Sequence, residues 1–166
     1  MKYIFLDIDG VLNNANTVTK SPDGYIGVSS NLGKRLSKIV KATDASVVLT
    51  SSWKNCSSEQ DHEYLVRKLK MYSAAPVAQT HEPNDVPFQR GAGINAFLKD
   101  NPCDQFVILD DFTFDFKEEG LFPHLVLTNP EKGLTKEDVI TATAILNGKL
   151  LSEDAYNELL MQGYHR

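Results

Sequence analysis

Short apolar runs that alternate with segments of helical spacing constrain this chain more than any other feature. Lys2 to Leu6 carries the Tyr, Ile and Phe that favour strands, and Ser46 to Leu49, Phe106 to Leu109 and Leu125 to Leu127 are compact runs of the same kind. Between and after them apolar residues recur at the helical period: Leu32, Leu36, Ile39 and Val40; Leu65, Val66 and Leu69; Ile94, Phe97 and Leu98. Thr135 with Asp138 opens a further helix bearing Val139, Ala142 and Leu146, and Ser152 opens a last one with Leu159 and Leu160. Ser57 with Gln60 forms a capping-box pattern ahead of Leu65. Residues 13–30 are polar, with a tight turn at Pro22-Asp23-Gly24 and a short strand expected over Tyr25 to Val28, and a Pro-rich loop holds Pro76, Pro83 and Pro87. Strands alternating with amphipathic helices pair in parallel and carry helices on both faces. The expectation is one α/β domain over residues 1–166, a three-layer Rossmann-like parallel sheet.

In such sheets ligands bind outside the carboxyl ends of the strands, so the residues that follow each run matter most. The first run ends in Asp7-Ile8-Asp9-Gly10-Val11. In an extended segment Asp7 and Asp9 point the same way, and two carboxylates so close repel unless a cation or a shared proton intervenes. The second run ends in Thr50-Ser51-Ser52, hydroxyls and backbone N–H groups suited to phosphate oxygens, although such residues also cap helices. The third ends in Asp110-Asp111, with Asp115 four residues on. Paired acids at a buried strand end are costly without a hard cation, and Mg²⁺ takes a few carboxylates while leaving room for a phosphate. Arg90, at the start of the helix before that strand, could neutralise both a carboxylate and a phosphoryl group; Lys54 is the competing cation. Trp53 either stacks on a substrate ring or packs.

Composition narrows the classes. A chain of 166 residues fits one domain with a single substantial core. The net charge of -5 weighs against a polyanionic partner, although a local basic patch overrides a global sign. No apolar run reaches transmembrane length, and Met1-Lys2 leads into a strand rather than a signal peptide, so a cytoplasmic protein with no membrane partner is expected. Cys56 and Cys103 lie far apart and read as reduced thiols. His62, His81, His124 and His165 lack zinc-ligand spacing and read as surface or loop residues.

Taken in order, Asp7-x-Asp9, Thr50, Arg90 and the Asp110-Asp111 pair resemble the motifs of the haloacid dehalogenase (HAD) superfamily of phosphatases and phosphotransferases. The segments Leu49-Thr50-Ser51-Ser52-Trp53, Gln89-Arg90-Gly91 and Gly133-Leu134-Thr135 further resemble compact HAD domains associated with RNA repair. The third motif of the superfamily is most often Lys, so Arg90 departs from it and acts only as a fixed cation. The resemblance implies a Mg²⁺-dependent phosphomonoesterase. In it Asp7 is the nucleophile and forms an aspartyl-phosphate, and Asp9 is the general acid and base. Thr50, Ser51 and Arg90 would hold the phosphate, and Asp7, the Asp9 carbonyl and Asp110 or Asp111 the metal. Residues 13–30 leave room for a short flap and residues 53–89 for no large cap, so the substrate is a phosphorylated small molecule or a nucleic-acid end. Rival readings are a polynucleotide end phosphatase, marked by a basic groove, and a receiver-like phosphoacceptor or non-catalytic regulatory protein.

Overall fold

The computed structural model of the chain describes residues 1–55 and 58–162. Five strands form one all-parallel sheet: β1 (Lys2–Leu6), β2 (Ser46–Leu49), β3 (Ala78–Gln79), β4 (Gln105–Asp110) and β5 (Leu125–Leu127), in the order β3-β2-β1-β4-β5. Among the described residues five α-helices connect or follow them: α1 (Ser30–Thr43), α2 (Glu59–Met71), α3 (Arg90–Asp100), α4 (Lys136–Leu146) and α5 (Glu153–Met161). The chain leaves β1 toward β2 and β3 on one side, then crosses to β4 and β5 on the other. That reversal opens a crevice at the carboxyl ends of β1 and β4.

Strand alternation divides the core in two. Ile4, Leu6, Val47, Leu49, Val107, Leu109 and Val126 pack with the apolar stripes of α1, α2 and α4. Tyr3, Phe5, Val48, Ile108, Leu125 and Leu127 pack on the opposite side with Ile94 of α3 and Tyr156 of α5. Phe5 is fully buried there, edge-on to Phe97 and Phe106. Burying such a ring contributes about 1.5–3 kcal/mol. The expected three-layer α/β sheet with helices on both faces is therefore the observed one, and among the described residues no large cap covers it.

Local differences have local causes. Tyr25 to Val28 does not form a strand; a single antiparallel bridge joins Lys20 to Ile26 across the turn at Gly24, whose φ is +90°. This small flap is tied to α2: Asp61 accepts from Ser21 Oγ at 2.9 Å and from the Asp23 N–H at 3.0 Å, and the Tyr64 hydroxyl accepts from the Val28 N–H at 3.1 Å. The Ser57 cap lies outside the described residues; α2 is capped by Ser58, whose hydroxyl accepts from the Asp61 N–H. Thr135 and Asp138 do form the reciprocal capping box of α4. The Pro-rich loop holds β3 and two 3-10 turns beginning at Pro83 and Pro87, where a missing N–H costs nothing. Contrary to the surface reading, His124 is half-buried, stacked on Phe106 with ring centroids 3.7 Å apart. His165 lies outside the described residues.

Candidate active site

The register of the sheet sets the first row of the site. Leu6 pairs with Leu49 on one side and Leu109 on the other. The next residue of each strand path is therefore Thr50, Asp7 and Asp110, side by side along one edge. The ladder carries through this row: the Thr50 N–H donates to Leu6 O at 2.9 Å and the Asp7 N–H to Leu109 O at 3.0 Å. By strand parity these three continue the face packed against α3. Arg90, the first residue of α3, lies over them. Its Nη1 donates to Asp110 Oδ2 at 2.9 Å and stands 3.3 Å from Asp7 Oδ1. Phe114 supports the guanidinium from below, with Cζ 4.3 Å from the ring centroid.

The start of α3 is itself fixed by an acid. Asp115 accepts from the N–H groups of Gly91 at 2.6 Å and Ala92 at 3.1 Å, serving the otherwise unpaired donors of the helix terminus. A Cβ on Gly91 would stand 2.7 Å from Asp115 Oδ1, so this approach needs glycine. Asp115 thus anchors Arg90 rather than joining the other acids. Gly133 has a comparable reason: its φ is +71° and a Cβ would meet Leu32 and the Val11 carbonyl, while the Leu134 N–H donates to Val11 O.

Asp7, Asp110 and Asp111 each offer a carboxylate oxygen within 4.8 Å of the others. Asp7 and Asp110 are buried. Burial, reinforced by the charge of Asp110, pushes the Asp7 carboxyl well above its ordinary range, with Arg90 pulling the other way. Burial likewise pushes Asp110 up to about 6 against the pull of Arg90. Burial opposes the charge on Arg90, but Asp110 and Asp7 outweigh it and raise its pKa. Like charges 4 Å apart repel by about 4 kcal/mol at an effective dielectric near 20, so carboxylates gathered this closely favour a cation among them. Oxygen donors of this kind suit a hard divalent cation.

Asp9 behaves differently from the expectation that it points with Asp7. The strand ends at Leu6, and the Leu12 N–H bonds back to Ile8 O through a turn in which Gly10 has φ +79°. A Cβ on Gly10 would overlap Asp111, so this turn also needs glycine. The Asp9 carboxylate lies exposed at the mouth and outside the group of three. Asn13 Nδ2 donates to Oδ1 at 2.9 Å, and Trp53 Nε1 stands 3.3 Å from both oxygens. Trp53 is 6% exposed, so the stacking alternative gives way to packing plus an N–H aimed at Asp9.

Among the described residues two buried polar atoms, Thr50 Oγ1 and Arg90 Nε, have no partner, a condition that costs roughly 1–3 kcal/mol each unless a ligand supplies one. Ser51 is buried too, and its hydroxyl accepts from the Trp53 N–H at 3.2 Å, so its side chain shapes the turn over Ser52–Asn55. Lys54 is occupied elsewhere: Nζ pairs with Glu82 at 2.8 Å and reaches the Thr50 carbonyl at 3.2 Å. Burial lowers its pKa. The sequence reading missed Asn13, Phe114 and the anchoring role of Asp115. An Asn three residues past a glycine turn is the one visible signal, since its Oδ1 also accepts the Gly10 N–H at 2.9 Å.

Comparison with known proteins follows this geometry. No curated protein sequence matches the chain significantly. A solved structure described as a HAD superfamily (subfamily III A) hydrolase from Legionella pneumophila is similar at 14% identity and a TM-score of 0.47, covering 98% of this chain and 88% of that one. The family model for the HAD domain in Swiss Army Knife RNA repair proteins matches residues 3–139, which include Asp7, Asp9, Thr50, Arg90, Asp110 and Asp111. The chain belongs to this family of HAD domains.

Proposed function

We propose that this HAD-type hydrolase is a Mg²⁺-dependent phosphomonoesterase working through a phosphoaspartate on Asp7. The observation that carries the reading is the strand-end row: Asp7 between the orphaned Thr50 hydroxyl and Asp110, with Arg90 across the two acids. Asp7, Asp110 and Asp111, together with the Asp9 carbonyl, would hold the ion. When bound, Mg²⁺ supplies positive charge that lets anionic Asp7 approach an anionic phosphate.

The chain's own residues do the rest. An Asp7 carboxylate oxygen forms a bond to phosphorus as the bond to the leaving oxygen breaks. Asp9, with Oδ1 held by Asn13, gives its proton from Oδ2 to that oxygen, so an alcohol departs. A water then loses a proton to Asp9 and attacks phosphorus, releasing inorganic phosphate and restoring both carboxyl groups. Thr50 and Arg90 bind the equatorial oxygens and satisfy their own orphaned atoms in doing so. Ser51 contributes the shape of the loop and its backbone.

Purified protein should hydrolyse p-nitrophenyl phosphate with Mg²⁺, lose that turnover to EDTA and regain it on Mg²⁺ addition. Asp7→Asn should remove at least 10³-fold of kcat with thermal stability retained, the scale expected for loss of a covalent nucleophile. Substantial turnover by Asp7→Asn excludes the covalent route. Stable labelling by acetyl phosphate without turnover would instead support the receiver-like reading. The family description favours a second substrate reading, a phosphorylated RNA end.

A further inference from the structure

A cleft of about 460 Å³ opens beside Asp9, between the flap residues Tyr25 and Ile26 and the segment carrying Ser52, Trp53 and Asn55. Asp9 stands at its edge and Ser52 follows the Thr50-Ser51 loop. An alcohol protonated by Asp9 and leaving a phosphate held by Thr50 therefore projects into this space. A second cleft beside Asp9 runs past Asp111 and Glu131, on the side of the acid group proposed for the ion. The first borders the loop that follows Thr50, the residue proposed to hold the phosphate.

Its walls specify that group. The Tyr25 ring is 67% exposed and Ile26 41% exposed, apolar surface displayed on a flap that Asp61 and Tyr64 tie down. Ser52, Asn55 and Ser58 add hydroxyl and amide groups at the rim. The charged side chains lining it are Asp9, Asp23 and Asp61, and no described lining residue is Lys or Arg. Asp61 is engaged by Ser21 and the Asp23 backbone, whereas the Asp23 side chain is exposed. A negative rim with an exposed aromatic ring attracts a flat uncharged ring bearing hydroxyls and repels a second phosphate. The size falls within the roughly 300–1,000 Å³ of small-molecule sites. Among the described residues this wall carries none of the basic groups that a polynucleotide groove would need.

We propose that the cleft receives a single nucleoside-sized, uncharged leaving group, so that nucleoside monophosphates are preferred over phosphorylated strands and bisphosphates. This rests on the phosphomonoesterase reading above. In the step itself the phosphorus–oxygen bond of the monoester breaks, Asp7 takes the phosphoryl group, and Asp9 protonates the nucleoside oxygen that remains in the cleft.

The test compares kcat/KM, with Mg²⁺ present, for acetyl phosphate, nucleoside 3′- and 5′-monophosphates, a nucleoside 3′,5′-bisphosphate and a 3′-phosphorylated trinucleotide. The better monophosphate should exceed the bisphosphate and the trinucleotide by about tenfold or more. Tyr25→Ala should lower kcat/KM for the monophosphate about tenfold relative to acetyl phosphate, the scale of one lost base–aromatic stack. Asp23→Lys should raise the bisphosphate relative to the monophosphate several-fold. Both positions are exposed, so neither change threatens the fold. A trinucleotide turned over as well as the monophosphate, or a Tyr25→Ala variant with unchanged ratios, overturns the proposal. Acetyl phosphate has no ring to bind, so its turnover separates the outcomes: hydrolysed without any preference among nucleotides, only the cleft assignment fails; if wild type hydrolyses neither acetyl phosphate, nor any nucleotide, nor p-nitrophenyl phosphate, the phosphatase reading fails and takes this one with it.

Discussion

Asp9 shows how much of this site depends on single donors. Its carboxylate extends from a turn, and Asn13 and Trp53 are the side chains that hold it. A hydrogen bond contributes about 0.5–1.5 kcal/mol, so removing the indole N–H loosens the acid and leaves Asn13 alone of the two to hold it. Trp53→Phe should therefore slow alkyl phosphates about tenfold while slowing p-nitrophenyl phosphate much less, because nitrophenolate leaves without a proton. Equal losses on both substrates would mean that Trp53 does no more than pack. The acids were legible in the sequence because paired carboxylates are costly at a strand end without a task, whereas Arg90 and Lys54 stayed alternatives until the structure paired Lys54 with Glu82. Trp53 was legible only as an aromatic, since no local pattern says where an indole N–H points. The same limit applies to Asp115, which reads as one more strand-end acid until α3 is seen starting beneath it.

Among the elements, the longer periodic ones followed directly from their apolar spacing, as α1 and β4 illustrate. The Thr135–Asp138 box was also readable, being local and reciprocal. Thr135→Ala should cost about 1 kcal/mol, lowering the thermal midpoint about 2–4 °C in a chain of this size; an unchanged midpoint would mean that the cap carries no weight. β3 left no signal because two residues at a sheet edge hold too little period. The Tyr25 to Val28 strand failed because the flap is held by α2 side chains and not by a ladder. His124 joins elements too: its Nδ1–H donates to the Phe106 carbonyl at 2.8 Å while its ring stacks on Phe106. Burial lowers its pKa from 6.5. The unfolded chain then binds the proton more tightly, so stability is full above about 6.5 and declines as pH falls through that value toward the lower folded one. The raised carboxyls of Asp7 and Asp110 act in the opposite sense over the same range, so the histidine is read by difference: the wild-type thermal midpoint relative to that of His124→Phe should fall from pH 7.5 to 5, and a difference independent of pH assigns the effect elsewhere.

At the scale of the whole molecule, residues some hundred positions apart in sequence meet because three parallel strands end in register. Asp7, Thr50 and Asp110 need no long loop to find one another; each follows a leucine of one paired row. That is why motifs spread along the sequence are brought to one edge of the sheet. Which acids gather beside Asp7, and which one turns away, depended on Gly10 and could not be read from spacing. The central claim is that this row passes a phosphoryl group through Asp7. The most direct measurement is acid quenching during steady turnover of p-nitrophenyl phosphate with Mg²⁺, followed by mass spectrometry of the N-terminal peptide. The account predicts a hydroxylamine-labile phosphoryl group on Asp7 that is absent from Asp7→Asn. Turnover that proceeds with Asp7 never labelled, or with the label on another residue, would contradict it.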